Sequence, residues 1–308
     1  MTRLSPYRKR DPTKNVDEEE EFLENLFDCL CTCVQIPEGK SQFLTLEGVE
    51  LSLLFLKGDG KIAKNRALKV LDFAVGGMGG NDVAQALVEK GGLKILFGIF
   101  MKKVLTISIS FGSFQPDSET AEHLLGIFVS LFRHLTADSP ERLRVLVKFV
   151  EKDYEKINTL LSIREDFISK LARLDVELAS EEPDPEESTE ARQQRWYLRK
   201  VEGGGFAVQL CAMLMAWLAV EDTGMRKYID EKVGLDDIVE TIQGSSIALT
   251  SLIADQLNNV DEVDEDDENA EVERANAKEE KEIMEVLIDV LSDGKGKNEE
   301  DIPANGTS

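Results

Sequence analysis

An all-α fold of stacked helices, an α-solenoid, is the class that this 308-residue sequence predicts. Three observations predict it: the spacing of the prolines, a hydrophobic period near that of a helix, and an internal repeat at an offset of 44 residues. The eight prolines stand at 6, 12, 37, 116, 140, 183, 185 and 303, so 38–115, 141–182 and 186–302 contain none. Proline is expelled from helix interiors, and gaps of that length leave room for helices.

The periodicity fills those gaps, with roughly a dozen helices expected. Asp17 followed by Glu20 resembles a capping arrangement, with Phe22, Leu26, Cys29, Leu30 and Cys33 on one stripe behind it. FLTLEGVELSLLFL (43–56) then matches LVEKGGLKILFGIF (87–100), Phe43 aligning with Leu87 and Gly48 with Gly92. Each block reads as a helix, a Gly-containing turn and a second helix, the Gly supplying the backbone freedom of a sharp turn. A weaker echo lies at 228–242, around Gly234 and Leu235. A spacing near 44 fits armadillo or HEAT repeats, units of two or three helices that bury their apolar faces only by stacking. Leu143, Leu146, Val147 and Val150 repeat at i, i+3, i+4, i+7, and Ile157 to Leu178 continue that period through a long helix. Phe206–Val220 is apolar but only 15 residues long, which suits a buried helix rather than a bilayer span. Ile283, Val286, Leu287, Val290 and Leu291 make a last amphipathic helix. Val104–Phe114 breaks the rule: it alternates like a strand with no evident partner, so an irregular loop or an insert is expected there.

Charge divides the chain further. The formal net charge is −24, and apolar residues at 42% are enough for a core. Residues 17–21, 181–190 and 261–273 hold 20 acids and no base, so the rest is nearly neutral. That balance argues against a general nucleic-acid binder, because phosphate contacts need a basic surface. The expected organisation is an N-terminal basic segment (1–16) and armadillo-like repeats (17–180). An acidic linker (181–191), C-terminal helical repeats (192–258) and a second acidic linker (259–278) follow. A terminal amphipathic helix (279–292) and a disordered tail (293–308) close the chain.

No motif for chemistry stands up to its spacing. Gly76-Gly77-Met78-Gly79-Gly80 follows a helical run and precedes no Lys-Ser/Thr pair, so it reads as a helix end and a turn, not a phosphate loop. Gly203-Gly204-Gly205 reads as a kink. Ser245 and Ser246 are placed between two helical stretches as a cap. Cys29, Cys31, Cys33 and Cys211 read as buried free thiols, for no His completes a zinc set. His123 and His134 lie three turns apart on one helix and read as packing or surface residues. Arg8-Lys9-Arg10 with Lys14 reads as a solvated basic loop. No catalytic, cofactor-binding or metal residue is assigned, and an enzyme is not expected.

ENLFDCLCTC (24–33), RALKVLDFAV (66–75), GLKILFGIFMKK (92–103), YLRKVEGGGFAVQ (197–209) and GSSIALTSLI (244–253) occur in the order found in the beta-catenin-like protein 1 family, which the chain resembles from about Leu4 to about Leu291. The resemblance corresponds to roughly the second half of a typical member. An end in mid-solenoid is expected of a truncated gene or of an end covered by a partner, since solenoid ends are normally capped. What the resemblance implies is an armadillo-type α-solenoid of the nucleus, a non-enzymatic component of the spliceosome-associated Nineteen complex. That complex contains a Myb-repeat subunit with basic segments, and the family binds such segments. Carboxylates beside the Gly turns are the candidates for pairing with them: Glu47, Glu50, Glu89, Asp236 and Asp237. The expected partners are therefore proteins, with no direct nucleic acid, no membrane and no cofactor, and with a homodimer left open. Two other readings compete: a basic-peptide adaptor unrelated to splicing, and an acidic histone or basic-protein chaperone acting through 181–190 and 261–273.

Overall fold

The computed structural model describes residues 2–13, 17–107, 118–181, 188–258 and 268–293. Every regular element among them is helical. After a 3-10 helix, Thr2–Arg8, come α1 (Asp17–Cys33), α2 (Pro37–Thr45), α3 (Gly48–Leu56) and α4 (Lys61–Val75). Next are α5 (Gly80–Glu89), α6 (Gly92–Ile107), α7 (Ser118–His134) and α8 (Pro140–Ser180). Then α9 (Thr189–Lys200) runs through a π-helical segment, Val201–Gly205, into α10 (Phe206–Glu221). Last are α11 (Thr223–Lys232), α12 (Leu235–Asn258) and α13 (Glu268–Asp293).

The stacking is that of an armadillo/HEAT-like solenoid. Helices α1, α4, α7 and α10 pack one on the next as a continuous row, and α12 continues it against α10. Units of three follow one another: α2, α3 and α4, then α5, α6 and α7, then α8 with α10. The third unit keeps the pattern because α8 is two helices across a break. Glu151 is extended, and Lys152, Asp153 and Tyr154 all sit at left-handed φ of 57°, 52° and 62°. Successive left-handed residues cannot continue a right-handed helix, so the chain turns there.

The repeat is real in three dimensions, but the glycines work differently from the expectation. In both blocks the left-handed residue precedes the aligned Gly: Glu47 at φ 57° and Gly91 at φ 78°. Gly48 and Gly92 instead make room. A Cβ on Gly48 would lie 2.3 Å from the Phe43 ring, and one on Gly92 would lie 2.5 Å from a Leu87 methyl. Phe43 and Leu87 are themselves equivalent under the 44-residue offset, so the same close approach is built twice. In the third copy Gly234, at φ 84°, carries the turn itself.

Several expected faces are rotated. On α1 the buried line is Leu23, Phe27 and Cys31, while Phe22, Cys29 and Cys33 are exposed. On the first half of α8 it is Arg142, Val145 and Phe149, while Leu143, Val147 and Val150 face out. On α13 it is Met284, Leu287 and Leu291, while Val286 and Val290 face out. In each case the packing neighbour chose among apolar positions that the period alone left equivalent. The basic N-terminal segment is not a free loop: Leu4 and Tyr7 are buried, and Glu19 holds the Tyr7 hydroxyl, Arg10 and the Thr13 amide. Ser245 and Ser246 lie inside α12, where Ser245 donates to the Thr241 carbonyl, so neither stands at the start of a helix. Residues 104–107 of the strand-like segment continue α6, and 108–114 fall outside the described residues. The segment 268–278, read as linker, is helical.

An aromatic cluster fills the core where α6, α7 and α8 meet. Phe97 stacks on Phe128 at 4.6 Å between ring centroids, and Phe149 meets Phe97 edge-on at 5.1 Å. Edge-on contacts of this kind add to the burial of the rings themselves. Helix α10 buries eleven of its sixteen residues against the neighbouring helices. Ala191–Glu221 is long and apolar enough to cross a membrane by length and composition, yet its apolar window is 61% buried inside the protein, as a solenoid core helix requires.

Candidate partner-binding surface

The repeat geometry gathers three of the five candidate carboxylates. Glu47 is the exposed left-handed residue of the α2–α3 turn, and Glu50 lies in the first turn of α3. Glu89 ends α5, at the equivalent turn one unit later. All three act on Lys90: Glu50 is ion-paired with it at 2.6 Å, and Glu47 and Glu89 add to the field that raises its ammonium pKa. The hydrogen bond from Lys90 holds the Glu50 carboxyl below its ordinary value. Glu89 also accepts from Gln85 at 2.9 Å. Three carboxylates thus act on Lys90, one of them as its ion-pair partner, and Glu47 and Glu89 are exposed.

Asp236 and Asp237 form a separate group in the first turn of α12, where a helix start favours negative charge. Asp237 is paired with Arg164 of α8. The structure therefore does not join the five acids into one surface. It makes one group at the α2–α3 and α5–α6 turns and another at the α11–α12 turn.

Two buried cations were not singled out from the sequence, although they organise the helix ends nearby. Lys40 donates to the carbonyls of Phe73 at 2.8 Å, Ala74 at 3.2 Å and Gly76, closing the end of α4. Burial, with Arg133 adding to it, holds its ammonium down at about 8. Arg142 does the same for α7: it donates to Phe132 and, at 2.7 Å, to Leu135, and pairs with Glu221 at the end of α10. Its guanidinium lies over the Phe132 and Trp217 rings. A shared signal exists in the sequence: Pro37-Glu38-Gly39-Lys40 and Pro140-Glu141-Arg142 each set a cation just after a Pro-Glu helix start. Helix C-termini attract cations, and here the attraction is buried.

The two histidines lie on α7 and point to different partners. His123 Nδ1 is 2.9 Å from Asp72 Oδ2, and His134 Nδ1 is 2.9 Å from Asn81 Oδ1. Burial pushes the Asp72 carboxyl up, and His123 opposes that push. Burial likewise raises the Cys31 thiol to about 11 and the Cys211 thiol to about 12, so neither is a ready nucleophile. Cys29 and Cys33 are exposed, contrary to expectation. No group of three His, Cys, Asp or Glu side chains suited to a metal ion occurs among the described residues.

Comparison with known proteins agrees with the stacked-helix architecture. The pattern of the family described as "Catenin-beta-like, Arm-motif containing nuclear" matches residues 1–244. The chain is 37% identical over 248 residues to the beta-catenin-like protein 1 homolog of Schizosaccharomyces pombe, covering 79% of this chain and 41% of that protein. It is 33% identical over 220 residues to beta-catenin-like protein 1 of Homo sapiens, covering 70% of this chain and 38% of that protein. The chain thus spans about two fifths of the length of these curated relatives. On the stacked helices, the repeated turn and these matches together, the chain belongs to the catenin-beta-like family of Arm-motif nuclear proteins.

Proposed function

We propose that this chain is a non-enzymatic, nuclear, armadillo-type scaffold that holds protein partners by their basic segments in a pre-mRNA splicing assembly, the Nineteen complex. The splicing assignment rests on the family resemblance. The observation that supports the binding chemistry is that Glu47, Glu50 and Glu89, at two equivalent repeat turns, all act on Lys90, Glu50 as its ion-pair partner. A Lys- or Arg-rich segment crossing those turns would meet carboxylates presented at the repeat spacing and would displace little internal pairing. Such contacts are exposed, so their contribution is modest individually and depends on several acting together.

The test is affinity purification of the chain from nuclease-treated nuclear extract, with mass spectrometry of what is retained. Nineteen-complex subunits, including the Myb-repeat protein, are the expected result. The combined substitution Glu47→Lys, Glu50→Lys and Glu89→Lys should lower their recovery at least tenfold. Unchanged recovery would remove this surface from the argument. Recovery of histones instead, lost on deleting 181–190 and 261–273, would replace the scaffold reading with the acidic-chaperone one.

A further inference from the structure

Helix α13 takes an unusual path. Two turns into the helix, Asn276 Oδ1 accepts from the Met78 amide at 2.9 Å, in the Gly-rich turn between α4 and α5. A Cβ on Gly77 would lie 3.1 Å from the Asn276 amide nitrogen, so the turn is closely fitted to it. One helical turn on, Arg133 at the end of α7 donates to Glu279 at 2.6 Å. Met284, Leu287 and Leu291 then bury themselves where α13 packs on α10 and α12. Arg226 of α11 donates to the Leu291 carbonyl at 3.0 Å. One helix therefore reaches from the α4–α5 turn, past the end of α7, to α10, α11 and α12, across ~22 Å of its own length.

Its apolar burial is thinner than that of α10, although it packs along α12 more extensively than any other pair of helices does and Ile283 and Ile288 also touch the core. Only those three apolar side chains are buried among its described residues, against eleven buried residues in α10. Val286 and Val290 stay 60% and 41% exposed. The helix carries nine acids and three bases. Arg133 is only partly satisfied: its Nη2 meets Glu279, while its buried Nε has no acceptor. A carboxylate offering both oxygens would fill that fork better than Glu279 does.

We propose that α13 is a displaceable strap, covering in cis a docking surface that takes an acidic amphipathic helix from a protein partner. The surface reads a carboxylate at the Glu279 position, an amide three residues before it, and apolar side chains five, eight and twelve residues after it. It selects the charge opposite to that selected at the Glu47 turn, so the two surfaces take different partner segments and the inference stands apart from the splicing assignment. Opening the strap exposes the docking surface, and a competing helix shifts the balance by its differential affinity for the open state.

Two measurements on the full-length chain test this. In the unmodified chain, hydrogen exchange should show amides 274–293 opening at least a hundredfold faster than those of α10. Exchange of α13 only together with α10 would overturn the proposal. The second uses a labelled peptide of residues 268–293 as probe. It should bind the chain carrying Glu279→Lys and Leu287→Asp at least tenfold more tightly than the unmodified chain. Adding Arg133→Glu should abolish that gain, and a peptide with Glu279→Arg should restore it. Equal binding to both chains would overturn the proposal. So would loss of protection throughout α7 and α10 in the loosened chain and also in the milder Asn276→Ala, Glu279→Gln variant, which would make α13 an integral repeat helix. A concentration-dependent dimer of the loosened chain, with no peptide binding, would assign the surface to a second copy and overturn the partner-helix reading.

Discussion

Buried charge near helix ends is the recurring device at the scale of single residues. Lys40 and Arg142 are 1% and 5% exposed, yet both are surrounded by carbonyl acceptors that a water-free interior would otherwise leave unpaired. His134 is the complementary case. Burial, with Arg133 beside it, holds its imidazole down at about 4, against the favourable field of Glu279. The ring is thus neutral at pH 7, and the tautomer that donates from Nδ1 to Asn81 Oδ1 leaves Nε2 as the unprotonated nitrogen. Because the folded value lies below the ordinary one, the unfolded chain takes up the proton first. The stability from the neutral ring is complete above about pH 6.5 and is lost as the pH falls toward about 4. Between pH 7 and pH 5 this amounts to about 2 kcal/mol. Urea unfolding at the two pH values should show that loss, and His134→Gln should flatten it; an unchanged slope in the variant would place the acid sensitivity elsewhere.

At the scale of elements, the 44-residue repeat is a packing unit as much as a turn. Gly48→Ala drives a Cβ against the Phe43 ring, and overpacking of that kind costs about 1–3 kcal/mol. Gly98 sits on an exposed face inside α6 with no neighbour within 4 Å of a built Cβ. Gly98→Ala should therefore stabilise the chain by about 0.5–1 kcal/mol through helix propensity. Thermal melts of the two variants should move in opposite directions, and a shift of the same sign in both would sink the close-approach account of Gly48. The repeat and the helix periods were legible in the sequence. Which side of α1, α8 or α13 faces inward was not, since each helix carries apolar residues on two flanks. Leu143, Val147 and Val150 have the spacing of a buried stripe, but Arg142, Val145 and Phe149 have it too, and the ends of α7 and α10 need the cation. Of the candidate site, the turns and their acids were legible. The convergence of Glu47 and Glu50 on Lys90 was not, because it joins residues of two units.

Across the whole molecule, each unit is stabilised mainly by its neighbours, as stacking repeats require. The Phe97, Phe100, Phe128 and Phe149 cluster joins α6, α7 and α8 and lies against the α7–α10 contact. Phe128→Ala should cost about 3–5 kcal/mol and should speed hydrogen exchange in α6, α7, α8 and α10 together. Leu23→Ala, in the first helix of the row, should speed exchange only in the N-terminal 3-10 helix, α1 and α4. Equal spread of the two effects would mean that the solenoid unfolds as a single unit.

The sequence by itself determined that this chain is a row of helices with a repeated turn, because proline exclusion, helical period and the 44-residue offset are local or periodic properties of the chain. It also determined where the acids collect. Only the tertiary structure decided which helix faces are inside, which cations close which helix ends, and where α13 lies. Those outcomes depend on contacts between residues as far apart as Met78 and Asn276, which no local pattern encodes.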